Sequence, residues 1–164
     1  QGEIWLRAQQ MSLGLIDVNG LRLHEPDGWH STGDLGYIDA IGRVMLTGRI
    51  ADVIKTGGYR VNPDEIESVL TGLSNTSGMC VTSLPSEYWG EVIVAVAESE
   101  DLSWVDAAKE KLKTMSRHKQ PRIFFHFKTL PRNPQGKVSR KQVSAHILKT
   151  HSVSDGAYPV LQAL

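Results

Sequence analysis

Four polar, glycine-rich segments of this chain carry residue types that packing does not explain, and each suggests chemistry. The first is Gly28-Trp29-His30-Ser31-Thr32-Gly33-Asp34. Asp34 follows a hydroxyl residue and a glycine, in what reads as a turn where backbone can come close to a ligand. A carboxylate there can accept two hydrogen bonds from a sugar diol. A turn aspartate that caps a local amide explains the same pattern. In the second segment, Gly48-Arg49-Ile50-Ala51-Asp52-Val53-Ile54-Lys55, two cations bracket an apolar patch. Solvated charges at strand ends account for that as well. The third is Thr56-Gly57-Gly58-Tyr59-Arg60. Its paired glycines allow a tight loop or let a narrow ligand pass the backbone. Arg60 has the fork that clamps a phosphate, although a plain hairpin turn fits too. The fourth, Leu130 to Lys141, contains two prolines and a glycine around Lys137. A stiff loop presenting one ammonium suits a charge set against a developing phosphate oxygen. A turn with a surface lysine is the alternative.

The elements that must position these segments fall into two styles. Residues 1–50 read as short strands broken by turns. Ile4-Trp5-Leu6, Leu21-Arg22-Leu23 and Arg43 to Thr47 are the strands, and Asp39 to Gly42 is a turn before the last. Beyond Arg49 helical periodicity sets in. Asn62-Pro63-Asp64-Glu65 predicts a helix start with a capping box, followed by Ile66, Val69, Leu70 and Leu73 at helical spacing. Strands are expected at 78–84, 91–97 and 123–127. A second capping box is expected at Ser103 to Asp106, with Val105, Ala108, Leu112 and Met115 on one face of its helix. Ser139 and Gln142 open a last helix. Residues 149–164 show no pattern and read as a tail. The order predicts an α+β fold: a small mixed-sheet domain with helices packed on it over 51–148, preceded by a short β-rich piece over 1–50.

Composition excludes some classes. Lys and Arg number 18 and so do Asp and Glu, so no bulk charge draws the chain to nucleic acid or an anionic membrane. Phosphate binding must come from local clusters such as Arg117-His118-Lys119-Gln120-Pro121-Arg122, which a solvated loop also explains. The single cysteine, Cys80, in an apolar stretch, allows no internal disulfide and suits a reducing, cytoplasmic compartment. No run is long and apolar enough for a membrane span. His146 and His151 are five apart, a poor helical metal pair, and no protein-bound metal is expected. The opening residues, with no initiator Met, read as the interior of a longer gene product.

Taken in order and spacing, the four segments resemble the adenylate-forming (AMP-binding) superfamily of acyl-CoA synthetases, aryl-CoA ligases, luciferases and peptide-synthetase adenylation domains. The likeness runs from Gly2-Glu3-Ile4-Trp5 to the helix after Lys137 and matches the family's C-terminal portion. It implies a two-step reaction. A carboxylic acid attacks the ATP α-phosphate to give an acyl-adenylate and pyrophosphate, and a CoA thiol then displaces AMP. Between the steps the small domain rotates about a hinge. By the resemblance, Asp34 binds the ribose hydroxyls and Arg49 contacts the same ribose. Lys137 bridges carboxylate and ATP in the adenylation state. Gly57, Gly58 and Tyr59 line the pantetheine tunnel, Arg60 lies near the phosphates, and Glu65-Ile66-Glu67 belongs to a structural helix. The cluster Arg117, Lys119 and Arg122 matches residues that meet CoA phosphates. Mg²⁺ arrives with ATP.

Two departures narrow the expectation. The hinge position, commonly Asp or Lys in the family, is Ala51 here, followed by Asp52. The family's phosphate loop and acyl pocket lie upstream of this stretch, so the expected partners are an N-terminal domain, a carboxylic acid and CoA, and this stretch alone is expected to be inactive. An adenylation domain that loads a carrier-protein thiol, or a non-catalytic interaction module, are the alternatives.

Overall fold

The computed structural model describes residues 2–24 and 28–164; Gln1 lies outside the described residues. The chain forms two compact units, Gln1–Ala51 and Asp52–Leu164.

Among the described residues the first unit has five strands, β1 (Gly2–Leu6), β2 (Gly14–Asp17), β3 (Gly20–Leu23), β4 (His30–Ile38) and β5 (Val44–Arg49). β2 and β3 make a hairpin, and β1, β4 and β5 an antiparallel sheet in that order. The expected strands and the Asp39–Gly42 turn are present, with Asp39 Oδ1 accepting from the Ile41 and Arg43 amides. One expectation is corrected. The part of the first polar segment from His30 to Asp34 is not a turn but the start of strand β4. Its glycine serves a bulge: Trp5 pairs with Ser31 and Glu3 with Leu35, so Thr32, Gly33 and Asp34 together face Ile4. Gly33 takes φ 71°, a conformation that costs other residues energy. Thr32 Oγ1 stitches the bulge, donating to Ile4 O at 2.8 Å and accepting from the Asp34 amide at 3.1 Å.

The second unit has a five-stranded mixed sheet: β6 (Ile54–Thr56), β7 (Tyr59–Val61), β8 (Gly78–Ser86), β9 (Gly90–Glu98) and β10 (Ile123–Phe127). β8 runs antiparallel along the whole of β9, β10 pairs parallel with residues 94–98 of β9, and Thr56 of β6 meets Gly90. β9 is buried on both faces, which is why Val92 to Ala97 reads as an unbroken apolar run. Ile93, Ala95 and Ala97 join one cluster with Ile66 and Leu70 of α1 (Pro63–Leu70) and Ala108 and Leu112 of α2 (Val105–Leu112). Val92, Val94 and Val96 join the other, with Val143 and Ile147 of α3 (Arg140–Thr150). The unit is thus an α+β domain with helices packed on a mixed sheet, as expected, and the helices occupy both of its faces.

Caps explain two helix starts and not the third. Asn62 accepts from the Asp64 amide with Pro63 in the first position, and Ser139 accepts from the Gln142 amide. At α2 the expected Ser103 box is absent. Trp104 occupies the cap position with no side-chain cap, and Asp101 takes the Ser103 amide instead. Burial of the Trp104 ring, 1% exposed and edge-on to Phe124, sets this start. The stretch 149–164 is also corrected. It ends α3 and then forms a hairpin of β11 (His151–Val153) and β12 (Leu161–Ala163), whose Val153 and Leu161 pack on the α3-side cluster.

Candidate functional site

Asp34 and Arg49 are far apart in sequence but cross-strand partners in β4 and β5. The Arg49 guanidinium Nε lies 3.1 Å from Asp34 Oδ1. Asp34 is half-buried and Arg49 exposed. Among the described residues Oδ2 of Asp34 has no partner, so the carboxylate keeps acceptor capacity on a strand stiffened by the Thr32 bulge.

Ala51 belongs to a 3₁₀ turn, Ile50–Asp52, at the division between the two units. Asp52 opens the second unit and its carboxylate is bound by Arg140 at 2.6 Å.

Gly57 and Gly58 form the two-residue turn of the β6–β7 hairpin, with φ 54° and 82°. Both values are positive, as a tight hairpin of this length requires. A side chain at Gly57 would strike the Trp89 ring at 2.9 Å, whereas nothing lies within 4 Å of one at Gly58. The Gly58 side of the turn is therefore open. Tyr59 stacks on His118, ring centres 4.2 Å apart and nearly parallel. Arg60 is exposed and faces Lys55 across the ladder.

Lys137 sits in a loop knotted by Asn133. The Asn133 side-chain oxygen accepts from the Gln135 and Lys137 amides, and the Asn133 amide donates to Lys137 O at 2.8 Å. Arg132 and Val138 bridge its neck, and Ser139 N–H donates to Pro131 O. Gly136 makes the turn at φ 79°. The loop holds the Lys137 backbone rigidly, and its exposed ammonium has no partner among the described residues.

Of the basic cluster, Arg117 and Arg122 border a pocket of about 640 Å³ together with Tyr88, Trp89 and residues 157–160. The Arg122 guanidinium lies 3.7 Å over the Trp89 ring, a cation–π contact. Lys119 points elsewhere: its ammonium donates to both Glu65 carboxylate oxygens, at 2.6 and 2.9 Å.

Two residues escaped the sequence reading. Trp89 anchors the pocket wall by donating to Gly156 O at 3.0 Å; the adjacent aromatic pair Tyr88-Trp89 was its only signal. Arg140 is the centre of an ion network with Asp52, Asp64 and Glu67, and its Nε donates to Val81 O. Nothing local marks it, because its three carboxylate partners lie over seventy residues away. Burial pushes the Glu67 carboxyl up, against the pull of the Val81 amide and Arg140; at Arg140 burial works against the charge, but the Glu67 and Asp64 carboxylates outweigh it and hold the proton more firmly than usual. Cys80, buried nearby, has its thiol pushed up to about 12 by burial and by Glu67. It is a packing residue, not a nucleophile. No three His, Cys, Asp or Glu side chains gather into a metal-binding group among the described residues.

No family model matches the chain. It is 37% identical to 4-chlorobenzoate–CoA ligase of Arthrobacter over 123 residues, 74% of this chain and 24% of that protein. Among solved structures it resembles o-succinylbenzoate CoA synthetase of Bacillus subtilis in complex with its acyl-adenylate intermediate, with TM-score 0.65 and 32% identity over 73% of this chain and 25% of that one. It also resembles ATP-bound MatB of Rhodopseudomonas palustris, with TM-score 0.64 and 31% identity over 74% of this chain and 25% of that one. The chain spans about a quarter of the length of the curated relatives it matches. With its α+β fold and these likenesses together, the chain belongs to the adenylate-forming enzymes of acyl-CoA synthetase type and corresponds to their C-terminal portion.

Proposed function

We propose that the gene product carrying this chain is an ATP-dependent acid–CoA ligase that activates a carboxylic acid as its acyl-adenylate and passes the acyl group to CoA. The observation that carries this is the Lys137 loop: a rigid support for one ammonium without a partner of its own, in a chain related to CoA ligases. Adenylation brings a carboxylate against an already anionic phosphate, and one positioned cation there is worth about 3–4 kcal/mol, or about 10²–10³ in rate.

The other residues take supporting roles in this reading. Asp34 accepts from the ribose hydroxyls of ATP, with Arg49 fixing the carboxylate and reaching the same sugar. Arg60 supplies charge near the phosphates. Gly57, Gly58 and Tyr59 border the passage of the pantetheine arm, a role supported by the open space beside Gly58. Arg117 and Arg122, on the Trp89 pocket, meet CoA phosphates. Lys119 would have to leave Glu65 to join them. Ala51 and Asp52 form the hinge between an N-terminal domain (to which residues 1–50 belong) and the lid, residues 51–148. Mg²⁺ comes with the ATP phosphates. Carboxylic acid, ATP, CoA and that N-terminal domain are the partners, and the stretch 1–164 alone is inactive.

The test is ATP–pyrophosphate exchange by the whole gene product over a panel of aryl and fatty acids, followed by CoA-dependent AMP release. Acid-dependent exchange and thioester formation with free CoA are expected. Exchange with no acid of the panel, or transfer only to a carrier protein, would contradict the proposal.

A further inference from the structure

We infer that Arg140 is a positioning residue that locks Asp52, the first residue of the second unit, to the Lys137 loop, so that the two move as one body. The inference rests on the reading of Lys137 given above.

Arg140 is the first residue of α3 and lies three residues beyond Lys137. Its Nη1 donates to Asp52 Oδ2 at 2.6 Å, its Nη2 to Asp64 and to Glu67 Oε2 at 2.8 Å, and its Nε to Val81 O at 3.0 Å. Thr82 Oγ1 in turn donates to the Arg140 carbonyl at 3.2 Å. One side chain, 23% exposed, thus ties the 3₁₀ turn at the unit boundary to α1, β8 and α3. Only a guanidinium has the donors in the right plane for this; an ammonium cannot bind all four acceptors at once. The network holds one cation among three carboxylates. Without it the like charges separate, and Asp52 and the start of α3 lose their common anchor.

From Arg140 the path to Lys137 is short and stiff. Ser139 N–H donates to Pro131 O, and the Asn133 knot closes the loop on Lys137. A shift at the α3 N-terminus therefore carries through to the ammonium. A displacement of about 1 Å in a catalytic geometry can cost about 10²-fold in rate. Arg140 touches no reacting atom in this account; it acts through Lys137.

The experiment measures pyrophosphate exchange in the gene product carrying this chain, for Arg140→Lys, Arg140→Met and Asp52→Ala, each alone and combined with Lys137→Ala. Arg140→Lys is expected to lower the exchange kcat by about tenfold to a hundredfold with little change in KM for ATP. Asp52→Ala should give a smaller loss of the same kind. In the Lys137→Ala background both losses should vanish, because the group they position is gone. A merely structural residue would lower the folded, active fraction equally in both backgrounds, and proportional losses there overturn the inference. So does wild-type exchange in Arg140→Lys. Should neither Arg140 variant fold, the Asp52→Ala pair decides by the same criterion. If Lys137→Ala itself leaves exchange intact, the Lys137 reading fails and takes this inference with it. A large Lys137 effect with additive Arg140 losses sinks the inference alone.

Discussion

Gly57 and Gly58 are alike in sequence and differ in space. Both need positive φ, so alanine at either costs about 1–2 kcal/mol. Only at Gly57 would the new methyl also meet ring carbons of Trp89, at 2.9 and 3.0 Å, and that ring is tethered through Gly156 O. Gly57→Ala should therefore lose about 1 kcal/mol more than Gly58→Ala in urea unfolding of this chain. Equal losses would show that the ring yields freely. Residue chemistry was legible wherever it was local. Lys137 stood out for its loop and Asp34 for its glycine and hydroxyl neighbours, while Arg49 gained a role only through the family resemblance. Their meeting across β4 and β5 was not legible, because it depends on register, and Asp34 looked like a turn residue because a glycine-dependent bulge resembles a turn in sequence. Arg140 could not be ranked above its basic neighbours, since what distinguishes it is three carboxylates gathered by folding.

At the scale of elements, periodicity and caps located α1 and α3, and the apolar run of β9 marked a strand, whose burial on both faces only the fold shows. The start of α2 misled because the burial of Trp104, a tertiary effect, overrode a good capping pattern. The β11–β12 hairpin was invisible because its strands are three residues each and gain order only by packing Val153 and Leu161 on the sheet. One contact between elements makes a pH prediction. Glu98, at the end of β9, accepts from the Leu130 amide at 2.8 Å and from the Ser77 hydroxyl at 2.9 Å, and so pins the start of the Lys137 loop. Those bonds, the Leu130 amide first, hold its carboxyl below the ordinary value of 4.5. A carboxyl so lowered stabilises the fold above that value, and the stabilisation is lost as pH falls through the depressed value. The melting temperature of the wild-type chain should therefore drop more steeply below about pH 4.5 than that of Glu98→Gln. Parallel curves would remove Glu98 from the acid response.

At the scale of the whole molecule, burial is unevenly shared. Both hydrophobic clusters belong to Asp52–Leu164, while the first unit leaves Leu13, Ile16, Leu21, Leu23 and Leu46 exposed. Strands with apolar side chains in water need a further partner surface, which fits the proposal that residues 1–50 complete a larger N-terminal domain. The unit with its own core carries Lys137, the Gly57-Gly58 turn and the Arg140 network, all on one scaffold. A domain that offers a cation in one half-reaction and a passage in the other must keep the two tasks on separate residues. The most direct test compares those halves in the gene product carrying this chain after Lys137→Ala. Pyrophosphate exchange should fall by about 10²–10³-fold, while thioester formation from supplied acyl-adenylate and CoA stays near the wild-type rate. Equal loss in both half-reactions would contradict the assignment of Lys137 to adenylation.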